Sequence, residues 1–294
     1  MSLIKRIRKL NSLKKNNYKA KFIYEGDIEI SLPKISFIET LLNRNKKPKR
    51  VLNYFSRPRA EVLLRKTIFN LYKEGYISPN KSIIDIGCWL GDNSLVWAKL
   101  LDKEATVYAI DPSAENLSFG QDLAELNGIF NVSWEQAVCS DNSGIPLGFK
   151  GKLDHATFSE STTTNQNMIV STTLDEIVGE GGRETIGLLH VDVEGMELKV
   201  LRGAEKIIDK SRPVITFEQH ISQDDVGAVG SFLKEKNYNL FMINEALPGC
   251  NLDCRNFIAL DSHRDNPKIK KPDQANGRKE GIFYACMGAD LISV

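Results

Sequence analysis

The chain of 294 residues lacks any run of about 18 apolar residues, the length a helix needs to cross a bilayer. Its N-terminus is basic but has no apolar centre of the kind a secretory signal carries. Cysteine is scarce and odd in number, five in all, which argues against a disulfide framework and for reduced thiols. These absences predict a cytoplasmic protein, touching a membrane at most from its surface. The chain also lacks an aromatic-interleaved basic run or a nucleic-acid recognition motif, so no nucleic-acid partner is expected. It has no internal repeat. What it has is a hydrophobic content of 41%, enough to bury one sizeable core.

The net charge of +1 hides an uneven distribution. Residues 1–50 carry 14 Lys/Arg against 4 Asp/Glu, and the remainder carries 25 against 34. This divides the chain into a basic appendage, residues 1–50, and an acidic main domain, residues 51–294. In "MSLIKRIRKLNSLKK", Leu3, Ile7, Leu10 and Leu13 recur at helical spacing among cations. Such a helix suits either an anionic membrane or acidic polymer, or the surface of its own domain.

Beyond the charged, proline-containing "NRNKKPKR", helical and strand patterns alternate. Leu64, Ile68 and Leu71 mark one helix face. "SIIDIG", "TVYAID", "VSWEQAVC", "IGLLHVDV" and "PVITFEQ" read as strands, with helices between them. Asn93 or Ser94 is available to cap the helix after the first strand. Pro112 opens the next helix and Asn127-Gly128 closes it. "NLFMIN" and "NFIALD" read as a late antiparallel pair. The polar segment from Leu153 to Gly182 is expected to loop over one end of the sheet, with a short helix at "STTLDEIV". The pattern predicts an α/β fold, a doubly wound and mostly parallel Rossmann-like sheet.

In such sheets ligands bind beyond the carboxyl ends of the strands. There the chain has "IIDIGCWLGDNS", with Gly87 and Gly91 in a G-x-x-x-G turn and no third glycine. A dinucleotide fingerprint is spaced differently. Asp85, two residues before Gly87, suits a cation better than a pyrophosphate. S-adenosylmethionine (SAM) brings an ammonium and a sulfonium where NAD brings phosphates. Asp111, at the end of the second strand, is placed to accept hydrogen bonds from ribose hydroxyls. The third strand leads to "AVCSDNSG", where Ala137, Val138, Ser140 and Asp141 either flank adenine or form only a polar turn.

The stretch "HVDVEGMELKVLRGA", His190 to Ala204, ends a strand in Asp192 and adds Glu194 and Glu197 within six residues. Like charges this close need a cation or hydrogen-bond donors. With "TLDEI" before it and "FEQH" at Phe217–His220 after it, the chain resembles the FkbM family of SAM-dependent methyltransferases from about Asn70 to Asp261. Cys88-Trp89 departs from that pattern, and residues 1–50 lie outside it. The resemblance implies a class I methyltransferase-type sheet. It also implies methyl transfer from SAM to a hydroxyl of a saccharide or other small acceptor.

A hydroxyl acceptor needs its proton removed. The candidate bases are Asp192, His220, Glu218, His155 and Glu194, with Asp192 and His220 foremost; His190, inside a strand, suits the core. Asp192, Glu194 and Glu218 also form an oxygen set of the kind Mg²⁺ or Mn²⁺ takes, against the alternative of direct hydrogen bonds to substrate. Cys250, Cys254, His263 and Cys286 have spacings too irregular for an expected zinc site. Two rivals stand beside the methyltransferase: a nicotinamide oxidoreductase, and a SAM-binding scaffold without turnover.

Overall fold

The structure, a computed structural model, describes residues 17–22, 28–33, 62–150, 157–160, 167–182, 185–220, 226–243, 254–265 and 291–293. The expected basic helix over residues 1–15 lies outside them, as do His155, Cys250 and Cys286.

Where the N-terminal extension is described, it is not helical. Strands β1 (Asn17–Phe22) and β2 (Ile28–Pro33) form an antiparallel ribbon, with Tyr18 opposite Leu32 and Phe22 opposite Ile28. The sequence explains the difference. Tyr18, Ala20 and Phe22 alternate with polar residues, as do Ile28, Ile30 and Leu32, which is the period of a strand.

The first helix, α1 (Val62–Lys73), buries Leu64, Ile68 and Leu71 as its spacing predicts. An alternating series follows: β3 (Ser82–Ile86), α2 (Asp92–Ala98), β4 (Val107–Asp111), α3 (Ala114–Asn127) and β5 (Val132–Gln136). After an inserted region come α4 (Leu174–Gly182), β10 (Ile186–Val191), α5 (Glu197–Arg202), α6 (Glu205–Ser211) and β11 (Val214–His220). Helix α7 (Val226–Glu235) then leads to β12 (Tyr238–Ile243), β13 (Cys254–Asp261) and β14 (Leu291–Ser293).

The main sheet has the order β14-β12-β13-β11-β10-β3-β4-β5. Strands β3, β4, β5, β10 and β11 pair in parallel, while β13 pairs antiparallel with both β11 and β12. From β3 the chain winds one way to β5; from β10 it winds the other way to β11. The switch point therefore lies between β3 and β10, where a doubly wound sheet opens a crevice.

Both faces are covered, so the strands read as continuous apolar runs. Ile83, Val107, Leu188 and Val214 join one core with residues of α1, α2 and α3. Their neighbours Ile84, Ile110, Leu189 and Ile215 join the other, with α4, α5, α6 and α7.

Two expectations need correction. The segment from Leu153 to Gly182 does more than loop. A second sheet of order β6-β9-β7-β8 is built from β6 (Val138–Cys139), β7 (Pro146–Lys150), β8 (Thr157–Glu160) and β9 (Asn167–Thr172). The Thr and Ser that read as loop are β-branched or small and sit well on a pleated surface. Within "VSWEQAVC" the strand also breaks at Ala137, and Val138 and Cys139 pair with Ser171 and Thr172 of β9. The short helix at "STTLDEIV" is present as α4, and Asn127-Gly128 closes α3 with Gly128 in the left-handed conformation.

Candidate functional site

The turn after β3 is held from two sides. Gly87 and Cys88 both donate their N–H groups to the carbonyl of Ile110, at 2.9 and 3.1 Å, which ties the turn to β4. Asp192 donates its N–H to the carbonyl of Ile86 at 3.0 Å, which ties it to the end of β10. Gly87 has φ of 75°, and a Cβ there would stand 1.7 Å from the carbonyl oxygen of Asp192. Only glycine fits that position, so its place in the turn is required by the meeting of two strand ends as well as by the ligand side.

Helix α2 begins at Gly91, which is the N-cap; neither Asn93 nor Ser94 caps it. Both side chains are used elsewhere. Ser94 donates its hydroxyl to Asp85, which is buried in β3. Asn93 accepts from Arg65 Nε at 2.6 Å, and the same guanidinium pairs with Asp92. The buried Arg65 thereby offsets Asp92, one of three carboxylates around the turn with Asp85 and Asp111. The Cys88 thiol is pushed up, first by burial and then by the fields of Asp85, Asp111 and Asp92. An electronegative turn of this kind fits a cationic guest better than a pyrophosphate.

Asp111, at the end of β4, accepts from the Ser113 N–H at 2.8 Å, from Asn116 Nδ2 at 3.2 Å and from the Trp89 N–H at 3.1 Å. Trp89 reaches it from a left-handed backbone, φ 47°, an uncommon conformation for a bulky residue and one expected at functional turns. Burial pushes the Asp111 carboxyl up to about 6, with those three hydrogen bonds acting the other way. Sequence reasoning missed Trp89 and Asn116; a polar residue in the first turn of the helix following an acid-ended strand was the available signal.

Beside β4, Gln136 pairs with Asp111 in register, so Ala137 leaves the sheet next to it. Val138 and Cys139 are buried, and the Ser140 N–H is committed to the Thr172 carbonyl at 2.9 Å. The Ser140 hydroxyl donates to Asp141 at 3.0 Å. A Cβ on Gly203 would lie 2.0 Å from the Ser140 carbonyl oxygen. The glycine of "LRGA" is thus the residue that lets α5 and the loop after β6 close on each other.

The acidic run after β10 separates into distinct roles. Glu197 is buried and its Oε1 accepts from the Gly195 N–H at 3.1 Å, folding the turn on itself. Glu194 is exposed, with a left-handed φ of 53°. Its Oε2 meets His220 Nε2 at 3.2 Å. Asp192 is half-buried at the head of the turn. Glu218 and His220 lie on one face of β11, which neighbours β10, so the candidate bases Asp192, Glu194, Glu218 and His220 gather at adjoining strand ends.

His190 belongs to the core, as expected. Its Nδ1 is 2.9 Å from Thr216 Oγ1, its ring meets Trp97 edge-on at 5.3 Å, and burial lowers its pKa to about 4. It stays neutral at physiological pH and serves packing.

The cysteines depart from expectation. Cys88 and Cys139 are free and buried, but Cys254 is disulfide-bonded. The sequence set of Cys254 and His263 does not converge. They flank opposite ends of β13, and His263 is exposed and pairs with Asp261 at 3.0 Å. Cys254 instead faces His220, its register partner, with Sγ 3.5 Å from Nδ1. Nothing in the spacing of Cys254 and His220 along the chain signals this; only the strand register does. Among the described residues no helix is long and apolar enough to cross a membrane.

The Methyltransferase FkbM domain profile matches residues 85–240, from the carboxylate in β3 to β12. Solved structures of similar fold include the methyltransferase FkbM of Methylobacillus flagellatus KT, at 13% identity and TM-score 0.46, covering 87% of this chain. This chain spans 59% of that protein's length. A SAM-dependent methyltransferase of Aquifex aeolicus, at 13% identity and TM-score 0.40, covers 74% of this chain and is itself covered fully, at 100%. A methyltransferase described from Streptococcus mutans in complex with SAH, at 13% identity and TM-score 0.42, covers 66% of this chain and is covered over 96%. No curated protein matches the chain. Because the profile spans more than half of its residues and both motifs on either side of the switch point, the chain belongs to the FkbM methyltransferase family.

Proposed function

We propose that this SAM-dependent methyltransferase acts on a hydroxyl of a saccharide or saccharide-bearing acceptor, with His220 as the base. The observation that carries the reading is the pairing of His220 with Glu194 at 3.2 Å, on the rim where β10 and β11 end. A carboxylate beside the ring orients the imidazole and favours its taking up a proton. Asp192 and Glu218 at the neighbouring strand ends accept hydrogen bonds from further hydroxyls. A polyol has several such donors, whereas a phosphate-rich polymer would be repelled by these carboxylates.

On the cofactor side, Asp111 is read as the ribose acceptor, Asp85 and the Gly87–Gly91 turn as the seat of the cationic end, and Ala137, Val138 and Asp141 as the flank of the base. The cofactor brings a methyl group already activated on a cationic sulfur. The acceptor oxygen bonds to that carbon as the carbon–sulfur bond breaks, and the hydroxyl proton passes to His220. Glu194 holds the imidazole in one orientation and stabilises the imidazolium. The protein's main contribution is alignment, since little else is needed at an activated carbon.

The test is transfer of radiolabelled methyl from SAM to defined glycans and glycosides, followed by alkaline treatment. An alkali-stable label on the glycan marks an ether and supports the reading. Label released by alkali marks an ester and refutes hydroxyl transfer. Tight SAM binding with no transfer to any glycan would favour the scaffold reading instead.

Asp111 gives a pH prediction. Its carboxyl titrates near 6 because burial disfavours the charge. Ribose hydroxyls prefer the carboxylate, so binding is strong above that pH and is lost as pH falls through it. SAM affinity at pH 5 is expected to be about tenfold weaker than at pH 7.5. Asp111→Asn should bind weakly at both pH values. Calorimetric titration at the two pH values checks this; equal wild-type affinities would remove Asp111 from the ribose.

A further inference from the structure

We propose that reduction of the Cys254 disulfide uncovers a binding site for a zinc-class divalent cation, formed by Glu218, His220 and Cys254. The three residues come from two neighbouring strands in antiparallel register, with His220 opposite Cys254 and Glu218 two positions along the same face. One ligand atom from each lies within 4.8 Å of the others. Glu218 and Cys254 are buried and the His220 side chain is 12% exposed, so an ion there would sit on the edge of the core.

The chemistry of the set is specific. A carboxylate oxygen, an imidazole nitrogen and a thiolate together suit borderline ions such as Zn²⁺ rather than Mg²⁺, which takes oxygen ligands. Three protein ligands leave a fourth tetrahedral position for water or an acceptor oxygen. The outer shell is already in place. Cys254 Sγ lies beside the His220 ring, 3.5 Å from Nδ1 and 3.8 Å from Nε2, and Nε2 also contacts Glu194 at 3.2 Å. A metal-bound histidine characteristically donates its second ring N–H to a carboxylate in this way.

The disulfide gates the site. A disulfide sulfur is a poor ligand, and a thiolate is a good one. A dithiol reductant transfers two electrons to the Cys254 disulfide and is itself oxidised to a disulfide. Cys254 and its partner cysteine leave as thiols, each taking one of the reductant's protons. On binding, the ion displaces the Cys254 proton to solvent. It also takes a ring nitrogen of His220, so metal binding competes with proton acceptance by the proposed base. Zinc should therefore inhibit the reduced protein and spare the oxidised one.

The probe is Co²⁺ added to full-length protein, oxidised or reduced with a dithiol, read by absorption. The reduced wild type is expected to show a thiolate-to-cobalt charge-transfer band and tetrahedral ligand-field bands at one equivalent. The oxidised protein should show neither. Cys254→Ser should abolish the charge-transfer band, and Glu218→Gln, which leaves the cysteines untouched, should weaken cobalt affinity at least tenfold. Absence of the band in reduced wild type that is folded by circular dichroism overturns the proposal. So does a band that survives Cys254→Ser, or an affinity unchanged in Glu218→Gln. These readouts are independent of methyl transfer, so the proposed function can fail while this site stands, and the reverse.

Discussion

Replacing His220 with alanine is expected to lower kcat by about 10²–10⁴, the usual contribution of a positioned general base. A thousandfold loss is about 4 kcal/mol of transition-state stabilisation. SAM affinity should stay within a few-fold of wild type, because His220 lies on β11 and the cofactor turn joins β3, β4 and the end of β10. Glu194→Gln should cost less, about tenfold, since it removes only the group that orients the imidazole. Single-turnover kinetics with a methylated glycan as product separates the chemical step from release. A kcat within threefold of wild type in His220→Ala would assign proton acceptance to Asp192 or Glu218.

Gly87→Ala is expected to be the most damaging small substitution in the molecule. The added methyl would stand 1.7 Å from the Asp192 carbonyl oxygen and 2.8 Å from its carbonyl carbon, both main-chain atoms. A left-handed φ of 75° adds its own cost. Gly75→Ala provides the control: it has nearly the same φ, 76°, but nothing within 4 Å of its added Cβ. Gly75→Ala should lose about 1–2 kcal/mol, the left-handed penalty alone. Gly87→Ala should lose roughly 3–5 kcal/mol and with it SAM binding. Urea denaturation of both variants measures the difference. Equal midpoints would mean that β10 yields at Asp192 and that the contact is not essential.

The sheet was legible because its strands are buried on both faces. Val107 to Ile110 and Leu188 to Val191 are largely apolar and lead into Asp111 and Asp192, while Ile83 to Ile86 carries Asp85 within it. The end of α3 was legible, where Gly128 closes the helix, but the cap at its start falls to Ser113, one residue past Pro112. Capping misled at α2, where Ser94 turns inward to Asp85 and a glycine takes the cap. The second sheet escaped because its strands are short and set among polar residues, and its pairing of Val138 with Ser171 bridges distant segments. The candidate residues Asp85, Gly87, Asp111, Asp192, Glu218 and His220 were visible singly. Their partnerships were not. His220 with Glu194 and with Cys254, and Arg65 with Asp92, depend on register and on helix packing, which no local spacing records.

The pairing of β3 with β10 has a consequence for how the protein is made. Ile84 lies beside Leu189, its neighbour across the switch point, and the turn that follows β3 is closed by Asp192. At ribosomal speeds about 5–20 s pass between the synthesis of these two strands. During that interval the nascent chain holds β3 with one edge open, along with an apolar row destined for burial. The turn after β3 is not closed until β10 and Asp192 have emerged. Such a chain exposes an open edge and apolar surface to aggregation for longer than a protein built from local pairings, and substitutions that slow the delivery of β10 should reduce yield before they reduce the stability of the finished molecule.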